Sequence, residues 1–150
     1  MRTPRPFDSA FEVRVRSSFA KQGLMSTIGA RVTHVAPGEV DVELPFRDDL
    51  SQQHGFLHAG VVAAIVDSAC GYAALTLMPP DAAVLTSEYK INLLSPVAGD
   101  AIIARGRVLK AGRTLIVTRG DAFALKDGAE KLVATMLATM MTVRERGLQD

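Results

Sequence analysis

The chain has 150 residues, the length of one ordinary domain. With 48% hydrophobic and 22% charged residues, its composition is that of a globular protein and excludes disordered or collagen-like structure. The 17 Lys and Arg residues nearly balance the 16 Asp and Glu residues, so no overall field favours nucleic acid or an anionic membrane. We predict a single domain over residues 1–150, of which residues 1–25 form an N-terminal helical segment.

The single cysteine, Cys70, excludes an intrachain disulfide and a cysteine-rich zinc module. One thiol suits a reducing compartment, and we expect a cytoplasmic protein. Residues 1–16 lack the apolar stretch of a secretory signal, although their Arg and Ser content also fits an organellar transit peptide. The apolar segment 59–78 has Asp67 near its middle, which indicates a buried helix and not a membrane span.

The first predicted elements are a short amphipathic helix and a hairpin. Ser9 followed by Glu12 has the spacing of a capping box, and apolar residues recur at helical spacing before Gly23. From residue 30 onward, apolar and polar residues alternate on both sides of a Pro-Gly pair at 37–38. This pattern predicts two strands joined by a tight turn, with one solvated face.

One long helix and four strands are predicted for the rest of the chain. After a polar loop, residues from His58 to about Leu77 are apolar on nearly every side, and two prolines end the helix. The strands are predicted at residues 83–94, 101–110, 113–125 and 131–144. Short turns between them favour antiparallel neighbours. A helix that is apolar on every face must be enclosed by other structure. We therefore predict an α+β fold in which a strongly curved antiparallel sheet wraps this helix. The open side of this arrangement is expected to meet another subunit.

The start of the long helix resembles the signature of hotdog-fold thioesterases of the phenylacetate-degradation (PaaI-like) type. The similar stretch runs from Gln52 to Asp67 and reads QQHGFLHAGVVAAIVD, where the family has a His-Gly-Gly step followed by an acidic residue. Later loops also resemble the family's markers, namely LLSP at 93–96, GD at 99–100, KAGRT at 110–114 and DG at 127–128. The resemblance covers roughly residues 28–143. It implies a hotdog fold, acyl-coenzyme A thioesterase activity, no metal or redox cofactor, and a homodimer that often assembles into a tetramer.

The start of this helix also indicates how a thioester is bound. Backbone N–H groups at a helix N-terminus are unpaired and carry partial positive charge, so the amides of Ala59 and Gly60 are candidates for holding the oxyanion. The alternative is that His58-Ala59-Gly60 only starts a tightly packed helix. Ala59 replaces the family's more usual first glycine, and its methyl group is expected to narrow the approach of the acyl group.

Asp67 is flanked by apolar residues, so its carboxylate needs hydrogen-bond partners or a chemical use. The resemblance implies that it is the nucleophile or general base; a structural hydrogen bond at a subunit interface is the alternative. Asp67 lies eight residues after Ala59, or about 12 Å along a helix axis, which is too far for both to act on one carbonyl. A site that uses both therefore combines Ala59 of one subunit with Asp67 of another, across antiparallel central helices.

Assisting residues are also implied by the resemblance. Thr86 falls where related enzymes place a hydroxyl that orients the attacking water or the acid, and Ser87 competes with it because strand neighbours face opposite sides. Gln52 stands where the family often has Asn, although a loop Gln is more often solvated. His58 is expected to fix the loop through a ring hydrogen bond. The three scattered histidines lack partners at metal-ligand spacing, so no metal site is predicted.

Two regions are expected to bind the substrate. Lys110, Gly112 and Arg113 form a basic turn that resembles the place where related enzymes hold the nucleotide tail of coenzyme A, and a solvated surface turn is the alternative. The acyl pocket is expected at the central helix and the loop before it. The predicted contacts there are His54, Phe56, Leu57 and Val61.

Two further functions stay open beside the thioesterase. The first is a hotdog hydratase or dehydratase, which acts on acyl thioesters without cleaving them. These enzymes pair a catalytic His with an acid farther along the helix, whereas His58 precedes the helix. A non-catalytic acyl-thioester-binding protein is favoured by the departures at Ala59 and Gln52. We predict the thioesterase, with acyl-coenzyme A as its small-molecule substrate and with no nucleic-acid or membrane partner.

Overall fold

The structure, a computed structural model, describes residues 5–144, 147, 148 and 150. Over these residues the chain forms three helices, one short 3-10 turn and a single sheet of six strands. The first four residues of the predicted N-terminal helical segment, and of the stretch considered as a targeting signal, lie outside the described residues.

The elements follow the predicted order, with one added helix. They are α1 (Phe11–Ala20), α2 (Gly23–Ile28), β1 (Arg31–Ala36), β2 (Glu39–Pro45), α3 (Ala59–Leu75), β3 (Ala83–Leu93), β4 (Ala101–Ala111), β5 (Leu115–Lys126) and β6 (Ala129–Val143). All pairings are antiparallel, and the sheet order is β1-β2-β4-β5-β6-β3. The predicted hotdog fold is confirmed: a curved antiparallel sheet wraps one long helix and a short helix precedes it.

α3 lies against the sheet at a distance that only glycine permits. A Cβ atom at Gly106 of β4 would lie 2.2 Å from the carbonyl oxygen of Ala69, and one at Gly120 of β5 would lie 2.4 Å from Cγ1 of Val66. The helix backbone therefore touches the middle strands directly, and its side chains on this face are fully buried. No helix among the described residues is long and apolar enough to cross a membrane.

The expectation that consecutive strands are neighbours is wrong for β3 and β4. β3 pairs with β6 at one edge of the sheet, whereas β4 lies between β2 and β5. The connection at residues 94–100 instead passes the start of α3, where Val97 is buried and its carbonyl accepts a hydrogen bond from the Leu57 amide at 3.0 Å. Short length alone does not force pairing when the backbone groups of a connection find partners elsewhere.

The predicted capping box at the start of α1 is also not formed. The carboxylate of Asp8 accepts a hydrogen bond from the Ala10 amide at 2.8 Å, and the N-cap position has no side-chain cap. Glu12 pairs with Arg16 one turn later at 2.9 Å instead of reaching back to Ser9. An ion pair at this spacing competes with the capping geometry for the same carboxylate.

Because α3 contacts the sheet so closely, one added methyl group is predicted to lower the stability of the fold strongly. Gly106→Ala places that group against the Ala69 carbonyl, so we expect overpacking to lower the free energy of unfolding by about 1–3 kcal/mol or more. Gly23→Ala is the matched control, because a Cβ atom there meets nothing within 4 Å. Denaturant unfolding of both variants measures the difference, and equal stability would contradict the close packing.

Candidate active site

The start of α3 presents one backbone donor to solvent. His58 is the N-cap residue, and its Nδ1 atom accepts a hydrogen bond from the Gly60 amide at 2.8 Å. The Gly60 amide, a predicted oxyanion donor, is therefore committed to this ring. Among the described residues, the Ala59 amide has no hydrogen-bond acceptor, and Ala59 is exposed. Ala59 is thus the donor that this helix end offers to a ligand.

An apolar groove of about 340 Å³ lies beside the Ala59 amide. It is formed by the loop before α3, the start of α3 and the connection after β3. It brings together four predicted site residues, which are Gln52, Phe56, Leu57 and Ala59. His54 and Val61 do not line it, and Val62 takes the place expected for Val61. Side chains of neighbouring helix residues point about 100° apart, and the sequence pattern does not tell which of the two valines faces the groove.

Hydrogen bonds within the loop before α3 fix its shape. The Gln52 side-chain oxygen accepts a hydrogen bond from the His54 amide, and the Gln52 backbone amide donates to the Phe56 carbonyl at 2.8 Å. Gly55 has a φ of +81°, which closes this tight turn. The Gln52 oxygen is therefore engaged with the loop, which leaves its NH2 group as the part able to contact a ligand.

The half-buried Asp67 lies midway along α3 and has one side-chain partner. Thr86 Oγ1 donates a hydrogen bond to Asp67 Oδ1 at 2.8 Å. Burial raises the pKa of the Asp67 carboxyl, and the hydrogen bond from Thr86 opposes that rise. Thr86 pairs with the buried Met140 of β6, which turns its side chain toward α3. Of the two candidate hydroxyls, Thr86 and not Ser87 contacts the carboxylate.

A small polar cavity of about 100 Å³ adjoins Asp67 and Thr86. Its other lining residues include Gln22, Ser68 and Tyr72, which sequence reasoning missed. Gln22 Nε2 donates to the Tyr72 hydroxyl at 3.1 Å, and Ser68 Oγ donates to Gln22 Oε1 at 3.3 Å. For Ser68 and Tyr72, the signal available in the sequence was their position as polar residues within the otherwise apolar α3, whereas Gln22 precedes α2 and has no such signal. A polar cavity of this size is suited to hold water.

The basic turn lies far from the Ala59 amide of the same chain. Gly112 and Arg113 border a cavity with Leu77 and Met78, which follow the C-terminal end of α3. Because α3 has 17 residues, its two ends are about 25 Å apart. One chain therefore does not bring together the basic turn, the Asp67 carboxylate and the Ala59 amide.

One face of α3 is not covered by the sheet of its own chain. Positions 60, 63, 64 and 67 recur at helical spacing and are exposed or half-exposed, whereas the opposite face is buried. Edge strand β3 runs beside this face and leaves Tyr89 and Leu93, which pair with buried residues of β6, exposed by 45% and 53%. Small side chains on the helix and apolar side chains on the edge strand form an uncovered surface around Asp67.

Comparison with known proteins agrees with this architecture. A family model described as the thioesterase superfamily matches residues 54–131. The solved structure of a thioesterase family protein from Silicibacter pomeroyi is 49% identical, with 90% of this chain and 99% of that chain covered and a TM-score of 0.88.

Two further proteins match at lower identity. The PaaI protein from the phenylacetic acid degradation operon of E. coli is 18% identical, with 91% of this chain and 96% of that chain covered; its TM-score of 0.80 shows a shared fold. Acyl-coenzyme A thioesterase 13 of Homo sapiens is 32% identical over 87 residues, which are 57% of this chain and 61% of that protein.

The Thr86 hydroxyl predicts a measurable change in the titration of Asp67. The hydrogen bond stabilises the charged carboxylate, so Thr86→Val should raise the pKa of Asp67 further above its ordinary value. Carboxyl-carbon NMR of the folded protein over a pH series measures this pKa. Ser87→Ala is the control and should leave it unchanged; an unchanged or lower pKa in Thr86→Val would contradict the assigned contact.

Proposed function

The chain belongs to the thioesterase superfamily, and from this premise we propose that it is an acyl-coenzyme A thioesterase that releases a free acid and coenzyme A. The observation that carries the proposal is the Ala59 amide at a helix N-terminus, which has no acceptor among the described residues and has an apolar groove beside it. A thioester carbonyl is a neutral group that becomes an oxyanion on attack, which is the charge that such a donor stabilises.

In the proposed mechanism, the Ala59 N–H donates a hydrogen bond to the thioester carbonyl oxygen. One donor of this type typically contributes about 2.7–4 kcal/mol to transition-state stabilisation. His58 has a supporting role, because its ring accepts a hydrogen bond from the Gly60 amide and thereby fixes the first turn of α3. Gln52 lines the same groove, and its NH2 group is proposed to contact the carbonyl or the attacking water.

Asp67 is proposed to activate the water. The polar cavity beside its carboxylate supports a general base over a nucleophile, because the cavity offers room and polar partners for a water within reach. Asp67 takes a proton while the water oxygen attacks the carbonyl carbon. The tetrahedral oxyanion, held by the Ala59 amide, then collapses and expels the coenzyme A thiolate. The Thr86 hydroxyl orients the carboxylate and supports its charged form.

Two subunits are proposed to share each site. Ala59 and Asp67 of one chain are about 12 Å apart along α3, so both act on one carbonyl only if a second copy supplies one of them. The uncovered face of α3 supports this arrangement, since Gly60, Ala63 and Ala64 allow another helix to approach closely. Antiparallel packing of two α3 helices would bring each Asp67 toward the other chain's helix start and would create two equivalent sites.

The primary test is release of thiol from short, medium, long and aromatic acyl-coenzyme A esters. We expect hydrolysis of at least one ester by the wild type and a loss of about 10²–10⁴-fold in kcat for Asp67→Asn, the scale of a general base. Asp48→Asn serves as the matched control, because Asp48 is an exposed carboxylate at the start of the 3-10 turn (Asp48–Leu50), outside the groove and the polar cavity.

Three results of this assay would reject the proposal. Absence of thiol release across the panel by folded protein would reject thioester hydrolysis. Hydration of an enoyl thioester without thiol release would indicate a hydratase. Hydrolysis that survives Asp67→Asn would remove Asp67 from the mechanism.

The shared site predicts complementation between two inactive variants. Ala59→Pro removes the N–H donor at a helix position that tolerates proline, and Asp67→Ala removes the base. Mixed oligomers contain hybrid sites in which the Ala59→Pro chain supplies Asp67 and the Asp67→Ala chain supplies the Ala59 amide. Thioester hydrolysis should therefore reappear when the two variants are mixed. Mass spectrometry verifies subunit exchange, and lack of recovery after verified exchange would contradict a site built from two chains.

A further inference from the structure

A second cavity, of about 410 Å³, adjoins the apolar groove. The two share Phe56, Ser95 and Pro96, so they lie on either side of these residues. The far wall of the second cavity is the hairpin between β5 and β6, which carries Lys126 and Lys131. We call this second cavity the lysine pocket.

The strand register places both lysines on the same face of the sheet. Lys131 pairs directly with Ala124, and Lys126 follows Ala124 by two residues on β5. Paired residues and residues two apart share a face, and Ala124 is buried on the inner face. Lys126 and Lys131 therefore belong to the concave side that holds α3 and the groove, and not to the outer surface of the sheet.

The charges around the lysine pocket leave it positive. Glu130 also borders it, but Arg105 holds that carboxylate through two hydrogen bonds of 2.9 and 2.6 Å. Over the described part of the chain, no carboxylate lies within ion-pair distance of Lys126 or Lys131. The two ammonium groups are thus available to an anion that enters from the groove.

We propose that the lysine pocket binds the phosphate groups of the coenzyme A nucleotide, while the pantetheine arm passes over Phe56 and Pro96 to the thioester at Ala59. This inference rests on the proposed function. The sequence predicts Lys110, Gly112 and Arg113 for this role, and that expectation stays a prediction. The turn lies at the opposite end of α3 from the groove of the same chain, so only the turn of a second subunit would reach this groove. Lysine ammonium groups recognise phosphates as point charges and do not need a fixed fork geometry.

The consequence is selectivity for thioesters that carry the nucleotide. An acyl group on N-acetylcysteamine has the same thioester but no phosphate, so it gains nothing from the lysine pocket. The double variant Lys126→Ala/Lys131→Ala should raise KM for the acyl-coenzyme A ester about tenfold, the scale of two exposed ion pairs, and leave kcat unchanged. The same variant should hydrolyse the N-acetylcysteamine ester at the wild-type rate.

A second arm measures binding without catalysis. Calorimetry with free coenzyme A should show a comparable loss of affinity in the double variant, and the loss should shrink at high salt because screening weakens the wild-type contacts. Esters of dephospho-coenzyme A separate the two phosphate sources: retained sensitivity to the variant assigns the lysines to the diphosphate, and lost sensitivity assigns them to the 3′-phosphate. Lys21→Ala, an exposed lysine beyond the end of α1, is the matched control.

Failure of this inference is distinguishable from failure of the proposed function. Hydrolysis of both wild-type substrates with no effect of the double variant would overturn the lysine pocket alone. An equal loss on the coenzyme A and N-acetylcysteamine esters would also overturn it, because that result indicates a structural effect. If no thioester is hydrolysed, the proposed function fails, and the calorimetric arm still decides whether the lysines bind coenzyme A.

Discussion

The contact of α3 with Gly106 and Gly120 is the constraint on which the rest of the structure depends. Because the helix backbone meets the middle strands at van der Waals distance, the helix can neither rotate nor move outward without a cavity or a clash. Val66 and Ala69 must then face the middle strands, and Asp67 must point away from them toward edge strand β3, where Thr86 contacts it. The glycines thus determine which helix face is left for the site.

Placing a carboxylate on that face costs desolvation free energy, which the surrounding residues offset only in part. Burial disfavours the charged form of Asp67, and one hydrogen bond from Thr86 opposes this. Beside it, Gln22, Ser68 and Tyr72 satisfy one another instead of the carboxylate. A carboxyl group with a raised pKa and one partner retains the capacity to accept a proton, which suits the general base proposed here.

The sequence predicted those features that depend on local pattern, and it missed those that depend on distant residues. Hydrophobic period and turn residues gave the long helix, the hairpin and the strand positions, because each arises within a short segment. The expectation that consecutive strands are neighbours was wrong for β3 and β4, since the pairing of β3 with β6 depends on residues far apart in the chain. The lysine pocket likewise joins two segments that no motif links. The Gly60 amide is a local exception: it is occupied because of the ring orientation of His58, two residues away, which the residue pattern does not specify.

The geometry of α3 connects assembly with the proposed chemistry. The proposed active groups, Ala59 and Asp67, are about 12 Å apart along α3 and cannot serve one carbonyl within one chain. The same helix exposes small residues between them. The surface that would bind a second copy is therefore the surface that carries Asp67, so a change that fills the space at Ala63 or Ala64 would alter both. Ala59 stands in place of the family's first glycine and still offers its amide, because the hydrogen bond requires only the backbone. Its methyl group changes the shape of the groove and not the charge that the proposed site stabilises.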